Sequence, residues 1–536
     1  LRRLMVADLD EAGAKDSARY DPAGLVVGHR NRIDSLVTMA YDILDRDSVV
    51  LVPKRVQTLN SLIGTALADT IRTTYDSISN MLTSVSRIGT VQRTYFENGA
   101  LKSERMIPGS PPGMLADSMR FTYDSVGRLQ RIAWQNGDSL MYWMRRTGDL
   151  DSMRVWWVTD GSQRSEIWKF TWDSLGRRRS IIYPYASMTA TWHYDRAGTV
   201  RRVLSDNASG VVTNRFKATF AQDSVDVTGR VIGQYTYCDT NYDPGVTAGM
   251  TCQGWLPDRS SNRFNRLGAM VIQRQDVTTD TLWYDQSGNR TAAKNNTLIQ
   301  QYTIGSASNR LVSQKDSLRG AIYATSRDYV YAADGGMWER HSVTPSGPDV
   351  RQQWQYDNLG RLVGRGEISN LGARDTSWNT CRWDGTGRSA QPCNGFQSTF
   401  VGPNVVRTSN GWFFVQAPGI DEPLLLIFRN PNTWQLQKRL QAVTDGAGQL
   451  IAIADSAGEI DASYAGSGYG QSSWRGAGVM TRGQTFSPRR WETDAQWGQL
   501  QQFRNRAYDP GTGRWLQEDP IGVAGGINLY EYNGNN

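Results

Sequence analysis

The chain has 536 residues, with 53 glycines, 18 prolines and aromatic side chains at 10%. This is a strand-and-turn composition rather than a helical one. Length alone suggests three or four domains, although large β assemblies depart from that rule. Against 59 basic residues stand 52 acidic ones, a net charge of +7 spread along the chain. Its tightest basic run, Arg177-Arg178-Arg179, is explained by a solvated strand face at least as well as by a nucleic-acid patch, so nucleic acid is not an expected partner. No apolar run approaches the ~20 residues of a membrane-spanning helix. The longest, Pro423 to Phe428, suits a buried strand.

The first residue is Leu1, with neither an initiator methionine nor a signal peptide, and the last residues break off inside a motif. Both ends therefore read as cut from a longer protein. Residues 1–100 are less regular than the rest of the chain. Apolar residues fall at mixed spacing over Leu36–Leu51 and Thr58–Asn80. The part from Leu59 to Tyr75 fits a helix or a diverged pair of strands, and we read it as strands.

From about residue 100 a unit recurs: an aromatic, Asp, two variable residues, Gly. Tyr123-Asp124-Ser125-Val126-Gly127-Arg128-Leu129 is the cleanest copy. Others begin at Trp172, Tyr194, Tyr284, Tyr356 and Trp383; Tyr20 opens the series, and Tyr331–Gly335 is a degenerate copy. One unit reads as a hairpin. The aromatic ends a strand and packs on its neighbour, Asp opens the turn by accepting from backbone N–H groups, and Gly takes the positive-φ position. Because a single hairpin is marginal alone, repeated units must pair edge to edge into a long sheet. The aromatics, and the many tryptophans such as Trp134, Trp157, Trp168 and Trp192, read first as strand packing and second as a sugar-binding surface.

Four cysteines fall as two local pairs, Cys238 with Cys252 and Cys381 with Cys393. Neither pair has metal-site spacing and only three histidines exist (His29, His193, His341), so no metal or other cofactor is expected. Two short disulfides in an exported protein, or buried thiols, both fit; we favour the disulfides.

Two turn-rich stretches close the chain. Thr444-Asp445-Gly446-Ala447-Gly448 and Asp455-Ser456-Ala457-Gly458 are followed by Tyr464 and Tyr469-Gly470. Then Phe503–Asn536 packs Tyr508-Asp509-Pro510-Gly511, Arg514-Trp515, Asp519-Pro520-Ile521-Gly522, Gly525-Gly526 and Asn528-Leu529-Tyr530 into one window. Turns this dense, with aromatics between them, predict a folded plug rather than a linker.

This last window resembles the Rhs repeat-associated core, R-x-Y-D-P-x-x-G-R…D-P-I-G-x-x-G-G-x-N-L-Y-x-Y, matching it from Arg506 through Tyr532. The upstream units are similar to the YD repeats of Rhs proteins, teneurins and Tc toxin C components, and the paired T-D-x-x-G and D-x-x-G hairpins resemble those that precede Rhs cores. The resemblance implies an all-β fold: a long antiparallel sheet of YD hairpins spiralling into a hollow, cocoon-like shell plugged by the core. It divides the chain into 1–100 (shell start or diverged repeats), 101–440 (YD shell), 441–502 (pre-core hairpins) and 503–536 (core).

In function, the resemblance implies a secreted or cell-surface bacterial shell that encapsulates and delivers a C-terminal toxin segment. It also implies that the core cuts its own chain once, as an aspartic protease, after a second D-P-x-G-L motif that would lie past Asn536. Aspartic chemistry needs two carboxyl groups that share a proton. Asp519 is the first candidate and Glu531 a candidate for the second, while Arg514 is placed to hold a carboxylate by a charge-assisted bond. Asp509 suits turn capping better. Expected partners are the chain's own toxin segment, a secretion apparatus or cell-surface glycans. The alternatives are an adhesion or carbohydrate-binding protein of the same repeats without cleavage, and a non-catalytic wall-associated scaffold.

Overall fold

The computed structural model describes residues 5–8, 15–59, 62–110, 113–159, 162–184, 188–206, 217–225, 231–238, 258–265, 269–275, 278–318, 325–344, 349–369, 379–391, 396–417, 422–444, 450–455, 460–466, 472–475, 486–487, 490–492 and 500–532, apart from isolated turn residues within these ranges. Among them there is no α-helix, and a 3-10 turn at Gly522–Gly525 is the only helical element. The all-β fold expected from the repeats is present. One antiparallel sheet of 30 strands runs from Met5–Asp8 to Asn379–Thr380. It includes the irregular first hundred residues, with Asp69–Tyr75 pairing back to Asp47–Val52 around the small hairpin Arg55–Leu59/Leu62–Ala66.

The repeat unit explains the sheet. In Asp117–Tyr123/Leu129–Trp134 the Asp124 carboxylate accepts the N–H groups of Val126 at 3.0 Å and Arg128 at 2.9 Å, and Arg128 Nε returns to it at 2.7 Å. These bonds, from the Arg128 N–H and then its guanidinium, hold the Asp124 carboxyl below its usual range. Gly127 sits at φ 83°, as a turn closed by a G1 bulge requires. The aromatic does more than pack. Tyr123 donates its hydroxyl to Leu101 O at 2.9 Å, Trp172 its Nε1–H to Leu150 O at 2.8 Å, and Trp383 to Leu362 O at 2.8 Å. Tyr and Trp thus add a bond that joins one hairpin to the strand before it, which phenylalanine, present at this position as Phe264, cannot make.

Each unit shifts register at its aromatic, as between Thr122 and Tyr123 and between Gln355 and Tyr356. A bulge increases local right-handed twist, and repeating it coils the ribbon. Thirty strands at ~4.8 Å would extend about 140 Å if flat; instead the ribbon winds back on its own start. Asn358 Nδ2 donates to Pro53 O at 2.7 Å, Arg55 pairs with Asp334, and Arg388 reaches Glu104 at 2.9 Å. The result is a spiral shell whose windings meet through hairpin tips.

A second sheet of eight strands, from Ser398–Val401 to Ser472–Arg475, packs against the first. Alternation along Trp412–Gln416 sends Phe413 and Val415 into a core shared with Trp134, Trp157 and Trp168 of the long sheet. Trp412 and Phe414 enter a separate cluster on the opposite face. Trp157 and Trp168 are fully buried and Trp192 is 8% exposed, so these rings pack the core and offer no sugar platform. Arg407 and Arg429 from the eight-stranded sheet meet the buried Asp138, and Arg439 meets Glu166 at 2.8 Å. Cys381 is buried and disulfide-bonded; Cys252 and Cys393 lie outside the described residues, as does the side chain of Cys238.

Candidate functional site

A third sheet, of five short strands, carries the final motif and ends in the hairpin Ala507–Asp509/Arg514–Trp515. Asp509 caps this turn: Oδ1 accepts Gly511 N–H at 2.9 Å, and Arg340 Nη1 lies 3.1 Å from Oδ2. Phe503, Tyr508, Trp515 and Tyr532 form an aromatic cluster beneath it, with Tyr508 and Tyr532 centroids 4.2 Å apart. The chain then folds back. Arg514 and Glu531 pair through their backbones in an isolated β-bridge, Trp515 N–H donates to Tyr530 O at 3.0 Å, and Asp519 N–H to Leu529 O at 3.0 Å. The three residues singled out from sequence thus lie on two paired segments, Arg514 and Glu531 at one end and Asp519 at the other.

Asp519 opens the Asp-Pro-Ile-Gly turn. Its backbone carbonyl accepts Gly522 N–H at 2.8 Å and its Oδ1 accepts Ile521 N–H at 3.1 Å. The other oxygen faces Arg506 Nη2 at 3.0 Å. Arg506 is in turn fixed by the Trp515 ring, 4.1 Å from the guanidinium carbon to the centroid. Burial pulls the Arg506 pKa below its usual value, with Asp519 opposing the shift. Gly525 leaves the space this carboxylate needs, since a Cβ there would stand 2.8 Å from Oδ2.

Arg514 is buried, and its guanidinium serves neutral groups. Nη1 donates to Asn289 Oδ1 at 2.9 Å, Nη2 donates to Asn309 O, and the charge lies over the Tyr530 ring at 5.6 Å. Burial lowers its pKa. The guanidinium on Asp519 is that of Arg506, a residue of the same motif to which sequence reading assigned no role.

Sequence reading also missed Glu518. This carboxylate, 15% exposed at its side chain, is bracketed by Arg32 Nη1 at 3.3 Å and Arg310 Nη2 at 3.4 Å. The buried Tyr530 hydroxyl shares its proton between Glu518 Oε1 at 3.1 Å and Gly335 O at 2.8 Å. Burial, then the Glu518 charge, pushes the Tyr530 pKa well above its usual value, so it remains a donor. No local signal marks this cluster, because Arg32 lies 486 residues from Glu518.

Beside both carboxylates is a cavity of about 600 Å³, lined by Asp16, Arg32, Tyr356, Trp383, Arg506 and Asp519 among others. Its walls come from four places: the first hairpins, the tips near residues 334–361, the turn at Trp383–Gly387, and the last motif. An acidic side chain on a rigid turn, at the edge of a cavity and beside a guanidinium, offers a proton acceptor to a bound group.

No family model and no curated protein matches the chain. Solved structures do. The TcdB2-TccC3-TEV crystal structure aligns over 97% of this chain and 33% of its own at 13% identity, with a TM-score of 0.48. The Photorhabdus luminescens Tc holotoxin pore, with a substituted TccC3, aligns over 98% of this chain and 30% of its own at 14% identity, with a TM-score of 0.41. The chain spans about a third of the length of these solved chains.

Proposed function

We propose that this chain is a secreted Rhs/YD-type shell that encloses and delivers a toxin segment of its own polypeptide, and that its core cleaves that polypeptide once. Residues 503–536 act as the core, and Asp519 is the carboxylate that takes a proton from the attacking water, with Arg506 orienting it. The supporting observation is the placement of Asp519, on a backbone-capped turn at the edge of a cavity walled by the shell's own hairpins. Glu531 stands as candidate for the second carboxyl on the motif resemblance, two residues beyond Leu529, whose carbonyl accepts from Asp519 N–H. Encapsulation follows from a ribbon that closes on itself, which also hides the edges of a very large sheet.

The test is expression from the gene through to its stop codon, as wild type and as Asp519→Asn, read by denaturing gel and intact mass. Wild type should split and Asp519→Asn stay whole. Splitting of both would remove Asp519 from the chemistry. Splitting of neither would remove the cleavage altogether and favour an adhesion or scaffold role.

A further inference from the structure

The residue before Asp519 is tied to the opposite end of the chain. Glu518 is held by Arg32, in the turn between strands Val26–Arg30 and Leu36–Tyr41, and by Arg310, ahead of strand Leu311–Leu318. Arg32 itself is anchored by Asp16, 3.2 Å from its Nε. Gly335, at φ 85°, lets Glu518 in: a Cβ there would lie 2.3 Å from the carboxylate. Three separated hairpin turns of the ribbon thus converge on one side chain, and its peptide neighbour is the proposed acid.

The Arg32 contact, unlike those from Arg310 and Tyr530, cannot exist until the first hairpins have wound round to meet the last motif. These contacts are not bulk packing, since each is a directional bond to one carboxylate. We infer that Glu518 is a positioning residue that makes the Asp519 site depend on closure of the shell: the geometry for cleavage is completed only when Arg32 docks. This inference rests on the self-cleavage reading for its consequence, but not for its geometry. It implies an order of events in which the ribbon closes first and the chain is cut second, so that a segment is released only into a sealed interior.

A misplacement of about 1 Å at a reacting group slows a reaction by up to roughly a hundredfold. Arg32→Met and Glu518→Gln should therefore slow processing about tenfold to a hundredfold without abolishing it, whereas Asp519→Asn abolishes it. Arg32→Lys, which keeps a charge at the same place, should recover most of the rate. Gly335→Ala should slow processing by displacing the carboxylate. The variants are compared by pulse-chase of the full chain. Far-UV circular dichroism and the urea midpoint confirm that each is folded.

Processing at the wild-type rate in both Arg32→Met and Glu518→Gln would overturn the inference while leaving Asp519 in place. Complete loss in Glu518→Gln would overturn it differently, by making Glu518 a reacting acid. Should the wild type itself stay whole, the self-cleavage reading fails, and hydrogen exchange decides the positioning alone. The amide of Asp519, bonded to Leu529 O, should exchange about tenfold faster in Arg32→Met than in wild type. Unchanged exchange there would overturn the dependence on closure.

Discussion

Replacing Asp138 by Asn should undock the eight-stranded sheet from the long one. Asp138 is fully buried; Arg407 Nη2 lies 2.7 Å from Oδ2, and Arg429 donates Nη1 at 3.0 Å and Nη2 at 3.1 Å. Asp138 also accepts Val158 N–H at 3.0 Å, so it fixes a loop of the long sheet against both arginines. Two unit charges ~3 Å apart attract by about 5 kcal/mol at an effective dielectric constant near 20. Removing one partner of a buried pair costs about 3–5 kcal/mol, because the other is left without compensation. Arg407 retains Asp117 at 3.5 Å, so the loss falls mainly on Arg429. Equilibrium urea unfolding followed by tryptophan fluorescence reads this interface, since Trp134 packs edge-on to Phe413 at 5.2 Å and lies under Arg407. We expect Asp138→Asn to lose about 3–5 kcal/mol, and Asp138→Asn with Arg429→Met to recover at least half of that loss. A single-variant loss below about 1 kcal/mol, or a double variant that loses the sum of the two singles, would refute the buried-charge argument.

Three further outcomes are expected elsewhere in the shell. Burial raises the Glu166 carboxyl from 4.5 to about 7 against the opposing pull of Arg439. A raised folded pKa means stability that is full below about pH 4.5 and lost as pH climbs through about 7, worth on the order of 3 kcal/mol. The unfolding free energies of wild type and Glu166→Gln should therefore diverge between about pH 5 and about pH 8, and parallel curves would refute this. Asp45 and Ser79 occupy the repeat's glycine position at φ 60° and 72°. Changing either to Gly should stabilise by about 1 kcal/mol in the same urea assay, and no gain would deny the strain. Tyr356→Phe removes a hydroxyl that donates to Met337 O at 3.0 Å in a buried site, a loss of about 1–2 kcal/mol. Tyr41→Phe, at the half-buried equivalent bond to Val26 O, should lose less.

The repeat itself was legible because its chemistry is local. An aromatic, an Asp and a Gly within five residues build one hairpin, and the carboxylate bonds of Asp124 or Asp357 reach no further than four residues. The same locality hid the copies at Tyr41-Asp42 and Tyr75-Asp76, where Asp45 and Ser79 stand for Gly. There the surviving signal is the i+4 partner of the Asp, Arg46 or Asn80, which bonds its carboxylate. The hydrogen-bonding role of the aromatic was readable in principle from the preference for Tyr and Trp over Phe.

Chain order and residue chemistry alone therefore determined an all-β ribbon, its hairpin registers and the position of Asp519 at the mouth of a turn. Only tertiary structure decided which guanidinium meets which carboxylate. Arg514, next to the candidate acid in sequence logic, turned to Asn289 and Asn309, while Arg506 took Asp519 and Arg32 came from the other end of the chain to Glu518. The reason is the winding. Each bulge adds a small twist set by local residues, but the sum over thirty strands decides which distant tips coincide, and charges choose their partners only after those tips have met.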